Sequence, residues 1–179
     1  MCGNAELADS IRDYEVDFFL AAEKFLENGE PSWSRSAYPG ELQATWGIID
    51  EDGIRSGSLR FRCRMDRSDP SITVLWRDKL IWRTDLVDPL ACKPNPLAAF
   101  GMGLPAMVCG SHHHSWPDNK AHVGRHGFGS LPIRRPLRPQ IRRFPQAMLA
   151  LASEINLTLH THQRGFDLPP VTDLFDGMQ

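Results

Sequence analysis

The sequence predicts an α+β fold: an N-terminal helix, an antiparallel β-meander, and a C-terminal helix packed on one face of the sheet. Three observations predict it. Apolar residues recur at three- and four-residue spacing near both ends of the chain, residues 58–65 alternate strictly between apolar and basic, and short β-rich runs are separated by Asp, Gly and Pro turns.

The first stripe is Ile11, Tyr14, Phe18, Ala22, Phe25 and Leu26, which predicts a helix over about residues 6–28, stopped by Gly29 and Pro31. After a loop over 31–40, strands are expected at Leu42–Ile49, Ser58–Met65, Ser71–Trp76 and Leu80–Val87. In the second of these Leu59, Phe61, Cys63 and Met65 point inward, which leaves Arg60, Arg62 and Arg64 as a basic row on the outer face. Residues 88–105 read as loop because of Pro89, Pro94, Pro96 and Pro105, and they lead into the short apolar run Ala106–Cys109. An irregular loop is expected at about 117–143, with its glycines and prolines densest before residue 137, and a helix at about Pro145–Ile155 with Met148, Leu149, Ala152 and Ile155 inward. The tail after about 165 is expected to be loose, with Leu174-Phe175 docking back.

The chain has 179 residues, 41% of them hydrophobic and 23% charged, so one domain (1–179) with a sizeable core is expected and global disorder is not. A net charge of -2 gives no chain-wide attraction to nucleic acid or to a membrane surface. No run approaches the ~18 apolar residues that a membrane span needs. Locally the charge is uneven: acids crowd residues 6–30, and Arg134, Arg135, Arg138, Arg142 and Arg143 crowd one later segment, where guanidinium groups suit phosphate or carboxylate partners. The four cysteines (Cys2, Cys63, Cys92 and Cys109) form no C-x-x-C pair, and acids precede any apolar run at the start of the chain. The expectation is a reduced, cytoplasmic protein with free thiols.

Chemistry concentrates in Cys109-Gly-Ser-His112-His113-His114-Ser-Trp116. On a strand continued from Ala106, His112, His114 and Trp116 share one face with Val108, while Cys109, Ser111, His113 and Ser115 share the other. Two imidazoles two residues apart can hold a divalent metal such as zinc, with His122, His126 or Asp85 as a third ligand. They can equally act as general acid and base at a phosphodiester. Cys109 on the other face is a candidate nucleophile. His160-Thr-His162 repeats the spacing but is expected at the surface. Asn119 follows His114 too closely for an HNH-type nuclease. Cys2-Gly3 leads into a helix, not into the strand that an N-terminal-cysteine amidotransferase requires.

Arg83-Thr-Asp85, Asn95-Pro96, His112-x-His114-x-Trp116 and the helix closing on Ile155-Asn156 resemble, in that order, an uncharacterised prokaryotic family of unknown function; Lys93-Pro94 stands where that family usually carries a histidine before its N-P turn. The resemblance implies that Arg83, Asp85, His112 and His114 form the site, and it implies no reaction. Lys93-Pro94-Asn95, Cys109, Trp116 and the helix from Pro145 are more loosely similar to ubiquitin-conjugating enzymes, with Lys93 in place of their histidine. That resemblance implies a thioester on Cys109 and oxyanion stabilisation by Asn95.

The leading expectation is a small bacterial protein acting on nucleic acid, of the RNase-like toxin or mobile-element defence type. His112 and His114 serve as acid/base groups or metal ligands, Asp85 orients an imidazole or completes the ligand set, Arg83 binds phosphate, and the Arg134–Arg143 cluster tracks the backbone. The alternatives are a thioester carrier using Cys109 and a non-catalytic module whose arginines hold an acidic protein partner or nucleic acid.

Overall fold

The computed structural model describes residues 12–139 and 141–170. Cys2, the start of the expected first helix and Leu174-Phe175 lie outside the described residues. Helix α1 spans Asp13–Ala21, with the Glu15 carboxylate accepting the Arg12 N–H at 2.9 Å. Val16 and Phe19 are its buried residues.

The expected continuation of this helix to residue 28 is corrected. Lys24–Leu26 is a short strand, β1, because Phe25 and Leu26 pair with the end of a long central strand while Lys24 pairs with a late strand. Ladder hydrogen bonds and the burial of Leu26 override a helical spacing that two more turns would have satisfied.

The remaining strands are β2 (Ser34–Arg35), β3 (Glu41–Ile49), β4 (Arg55–Arg64), β5 (Ser71–Trp76), β6 (Lys79–Asp85), β7 (Cys92–Pro94), β8 (Met107–Cys109), β9 (His112–His114), β10 (Arg135–Pro136) and β11 (Leu157–Thr158). The main sheet runs β10-β9-β6-β5-β4-β3-β1-β11, with β2 beside β3. Only β11 against β1 is parallel among the described pairings. The fold is therefore the expected α+β meander. Its second sheet joins β7, which lies in the segment that reads as loop, to β8 in the apolar run that follows, and a 3-10 turn at Leu97–Met102 lies between them.

The sheet has two unlike faces. Leu59, Phe61, Ile72, Val74 and Trp82 alternate onto one of them and are all buried. Helix α3 (Phe144–Glu154) closes that side through Phe144, Ala147, Met148, Leu151 and Ala152, one stripe of an amphipathic helix. Phe61, Phe144, Phe166, Trp33 and Trp46 pack there as an aromatic cluster with neighbouring ring centroids 4.8–6.4 Å apart. Phe166 is 2% exposed, so the chain just past residue 165 is anchored in the core and not loose.

The other correction concerns residues 117–143. Trp116–His126 is a helix, α2. Ser115 caps it, its Oγ accepting the Asp118 N–H at 3.3 Å and donating to Asp118 Oδ2 at 2.8 Å. Pro117 sits in the first turn, where its missing N–H costs nothing, and Gly127 at φ 77° follows the last turn. Trp116 is fully buried and donates to Asp17 of α1 at 2.8 Å. The helix thus ties the end of β9 to the start of the fold.

Candidate metal centre

Three polar side chains at the edge of this sheet are almost completely buried: Asp85, His112 and His114. Register explains how they meet. Strand β9 lies antiparallel to β6, with Asp85 opposite His112 and Arg83 opposite His114. Directly opposed residues point to the same face, so two pairs of residues distant in the chain become immediate neighbours. The expected continuous strand from 106 is interrupted instead at Gly110, φ 74°, which separates β8 from β9. The predicted division of faces survives within β9: His113 points to the opposite side, edge-on to Trp82 at 5.6 Å.

One oxygen of Asp85, Oδ2, lies 3.6 Å from His112 Nε2 and 3.4 Å from His114 Nε2. These separations exceed good hydrogen bonds. They match the edge of a tetrahedron: two ligand bonds of about 2.0–2.1 Å at the tetrahedral angle place ligand atoms about 3.4 Å apart. One ligand atom from each of the three residues lies within 4.8 Å of the others.

The far side of each ring is held. His112 Nδ1 is 2.8 Å from the Gly110 carbonyl and His114 Nδ1 is 2.5 Å from the Leu131 carbonyl. A carbonyl accepts only from N–H, so both rings carry a proton on Nδ1, and in the neutral ring the lone pair of Nε2 points inward. His112 Nε2 is buried with no hydrogen-bond partner. The other Asp85 oxygen, Oδ1, accepts from Arg83 Nε at 2.7 Å. Each ligand therefore has one atom free for a metal and the other anchored by the protein, which is the supporting pattern of histidine and carboxylate metal ligands.

Electrostatics agree with this geometry. Burial works to raise the Asp85 carboxyl, but His114 and the Arg83 guanidinium outweigh it and hold Asp85 below its ordinary value. Burial pushes His112 below its ordinary value, against the Gly110 carbonyl and the Asp85 charge. Burial likewise lowers His113, to about 4. An ionised carboxylate beside a neutral imidazole is the protonation state that binds metal. The residues fit a divalent ion of the zinc type.

The other expected site residues fall elsewhere. Cys109 is bonded to Cys92 in a disulfide across β7 and β8, so neither is a free thiol. The basis for expecting a reduced protein is lost with them, and Cys109 has no thiolate with which to carry a thioester in this state. Cys63 is a free, buried cysteine, its thiol raised to about 11 by burial. Asn95 cannot serve an oxyanion either. Its amide nitrogen donates to the Pro105 and Arg134 carbonyls, both at 2.9 Å, and its oxygen accepts the Arg134 N–H at 2.8 Å. It pins two loops together.

The arginine cluster is divided. Arg135 forms a two-pronged pair with Asp118 at 2.7 and 3.0 Å, and Arg134 donates to the Pro94 and Pro132 carbonyls. Arg138, Arg142 and Arg143 are exposed. Arg138 lines the cleft between His113 and α3, on the side of the sheet away from His112 and His114. His122 and His126 face each other on α2, ring centroids 4.6 Å apart, and do not join the ligand set. His160 and His162 are exposed, as expected.

One supporting residue enters the sequence reading only as a poor fit to a nuclease motif. Asn119, fully buried on α2, donates to the Ser115 and Ile133 carbonyls and accepts the Ile133 N–H at 2.8 Å. It fixes the strap whose Leu131 carbonyl orients His114. Comparison with protein-family models, curated proteins and solved structures found no match to this chain. No helix among the described residues is long and apolar enough to cross a membrane.

Proposed function

We propose that this protein is a metal-dependent enzyme acting on nucleic acid, with Asp85, His112 and His114 as the metal ligands. The convergence of Asp85 Oδ2 and the two Nε2 atoms, with both Nδ1 atoms committed to backbone carbonyls, carries the reading. Three protein ligands leave a coordination position open, as in catalytic zinc sites. An ion held by Asp85, His112 and His114 would supply a water of lowered pKa and a Lewis acid for a phosphoryl oxygen. Arg83 has a double part: it holds Asp85 through Nε, and its exposed remainder offers donors to a phosphate.

The test is to load the purified chain with zinc, measure bound metal by elemental analysis, and assay cleavage of single-stranded RNA and DNA. The wild type is expected to hold one zinc per chain and to cleave. The His112→Ala/His114→Ala variant is expected to lose both the metal and at least 100-fold of the rate (about 2.7 kcal/mol of barrier). Equal cleavage by the two proteins, or none by either, rejects the enzymatic reading; a wild type that binds no zinc, cobalt or manganese rejects the centre itself.

A further inference from the structure

The arginine row on the outer face of β4 lies on the same sheet face as the metal ligands. Two register rows show it. Arg60 of β4 is opposite Thr73 of β5, which is opposite Arg83 of β6, which is opposite His114 of β9. Arg62, Ser71, Asp85 and His112 form the next row in the same way. At about 4.8 Å between strands, Arg60 stands roughly 10 Å from Arg83, and Arg83 about 5 Å from His114.

A cavity of about 380 Å³ opens on this face, lined by Arg60, Arg62, Arg83, Ser71 and Thr73 among others. Arg83 belongs to its wall and also holds the proposed ligand Asp85 through its Nε. Arg64 and Asp69 at the rim offset each other at 3.9 Å, and Glu41 is a carboxylate in the same lining. Among the described residues no carboxylate lies within 4.0 Å of the Arg60 or Arg62 nitrogens. Arg62 Nε is buried with no hydrogen-bond partner, and its guanidinium lies 5.3 Å from the ring of Tyr38, which is 59% exposed.

We infer that this face binds the backbone of a single-stranded nucleic acid, with Arg60 and Arg62 holding phosphates, Tyr38 offering a stacking surface to a base, and Arg83 delivering the adjoining phosphate to the metal centre. Guanidinium forks with hydroxyl groups between them are suited to successive phosphates. An exposed aromatic ring beside them is the element that unpaired bases use and stacked duplex bases do not. The inference rests on the metal-centre reading for what happens at the phosphate, but strand binding itself needs no metal.

The test measures binding of a fluorescein-labelled twelve-residue uridine RNA by anisotropy, with the full chain kept metal-free by a chelator, over a series of salt concentrations. Arg60→Gln/Arg62→Gln is expected to weaken binding at least tenfold and to reduce the slope of log affinity against log salt by about 1.4, at ~0.7 for each phosphate no longer neutralised. Its zinc content is expected to equal that of the wild type. Tyr38→Ala is expected to weaken binding with the salt slope unchanged. Arg138→Gln/Arg142→Gln, which removes the same charge from the other side of the sheet, is expected to bind as the wild type does. Unchanged affinity and slope in Arg60→Gln/Arg62→Gln overturns the inference, as does equal loss in Arg138→Gln/Arg142→Gln or tighter binding of a duplex of the same length. RNA bound by Arg60 and Arg62 in a protein that takes up no metal supports this inference and rejects the metal reading; metal bound without RNA does the reverse.

Discussion

At Asp85 the two carboxylate oxygens have separate duties, one toward the imidazoles and one toward Arg83. Loss of such a supporting partner typically costs 10–100-fold in metal affinity. Arg83→Gln is therefore expected to weaken zinc binding by that factor while leaving one site per chain, measured by competition with a chromophoric chelator. An unchanged affinity would show that Asp85 is positioned without it. The sequence shows His112 and His114 as a pair, because i, i+2 spacing on a strand puts both on one face, and it is the resemblance that adds Arg83 and Asp85 to them. The duty of each atom is not legible there. The Nδ1 acceptors are the backbone carbonyls of Gly110 and Leu131, and a carbonyl carries no side-chain signature.

Short elements place those carbonyls. Gly110 breaks the strand between β8 and β9, and a Cβ on it would sit 3.3 Å from the Pro89 Cα at a φ of 74°. Gly110→Ala is expected to cost about 1–2 kcal/mol in urea unfolding and to lower zinc affinity as well, because the strained residue supplies the carbonyl that orients His112. If stability falls and affinity does not, the Gly110 carbonyl is dispensable to the site. Lys24, 2% exposed, gives the second test. Its ammonium donates to the Leu20, Ala22 and Ile155 carbonyls, joining the ends of α1 and α3. Lys24→Met leaves the buried Ile155 carbonyl and the part-buried Leu20 and Ala22 carbonyls without that donor and is expected to cost about 1–3 kcal/mol, read from the same unfolding curves; a loss below about 0.5 kcal/mol would show that water replaces it. The sequence reads as helix past Lys24 because Ala22, Phe25 and Leu26 fit that period. Helix α2 reads as loop because its polar composition shows no apolar stripe, although Ser115-Trp-Pro-Asp118 carries a helix-start signal.

The whole molecule sets core against chemistry on opposite faces of one sheet. The α3 side buries the aromatic cluster, and the other side carries the proposed metal ligands, Arg60 and Arg62. The disulfide between Cys92 and Cys109, 17 residues apart, staples the β7–β8 excursion that leads into β9. Closing a loop of that length contributes about 3 kcal/mol. Cys92→Ser/Cys109→Ser is expected to lose about that much stability while keeping one zinc per chain, since neither sulfur belongs to the ligand set. Loss of the metal along with the stability would mean that the staple also holds β9 in place.

By itself the sequence determined the α+β class, the main strands from 42 to 85, the helix at 145–155, and a His112/His114 pair on one face of a strand. All of these are periodic or local signals, and side-chain direction follows from period. Only the tertiary structure decided that β9 pairs with β6, that Cys109 is bonded to Cys92, that Arg135 is paired with Asp118, that Arg60 and Arg62 share the face of the ligands, and that Arg134 of the later cluster lies close enough to act on His112. Strand pairing and cysteine pairing join residues far apart in the chain, and no local spacing encodes which distant segment a strand edge will meet.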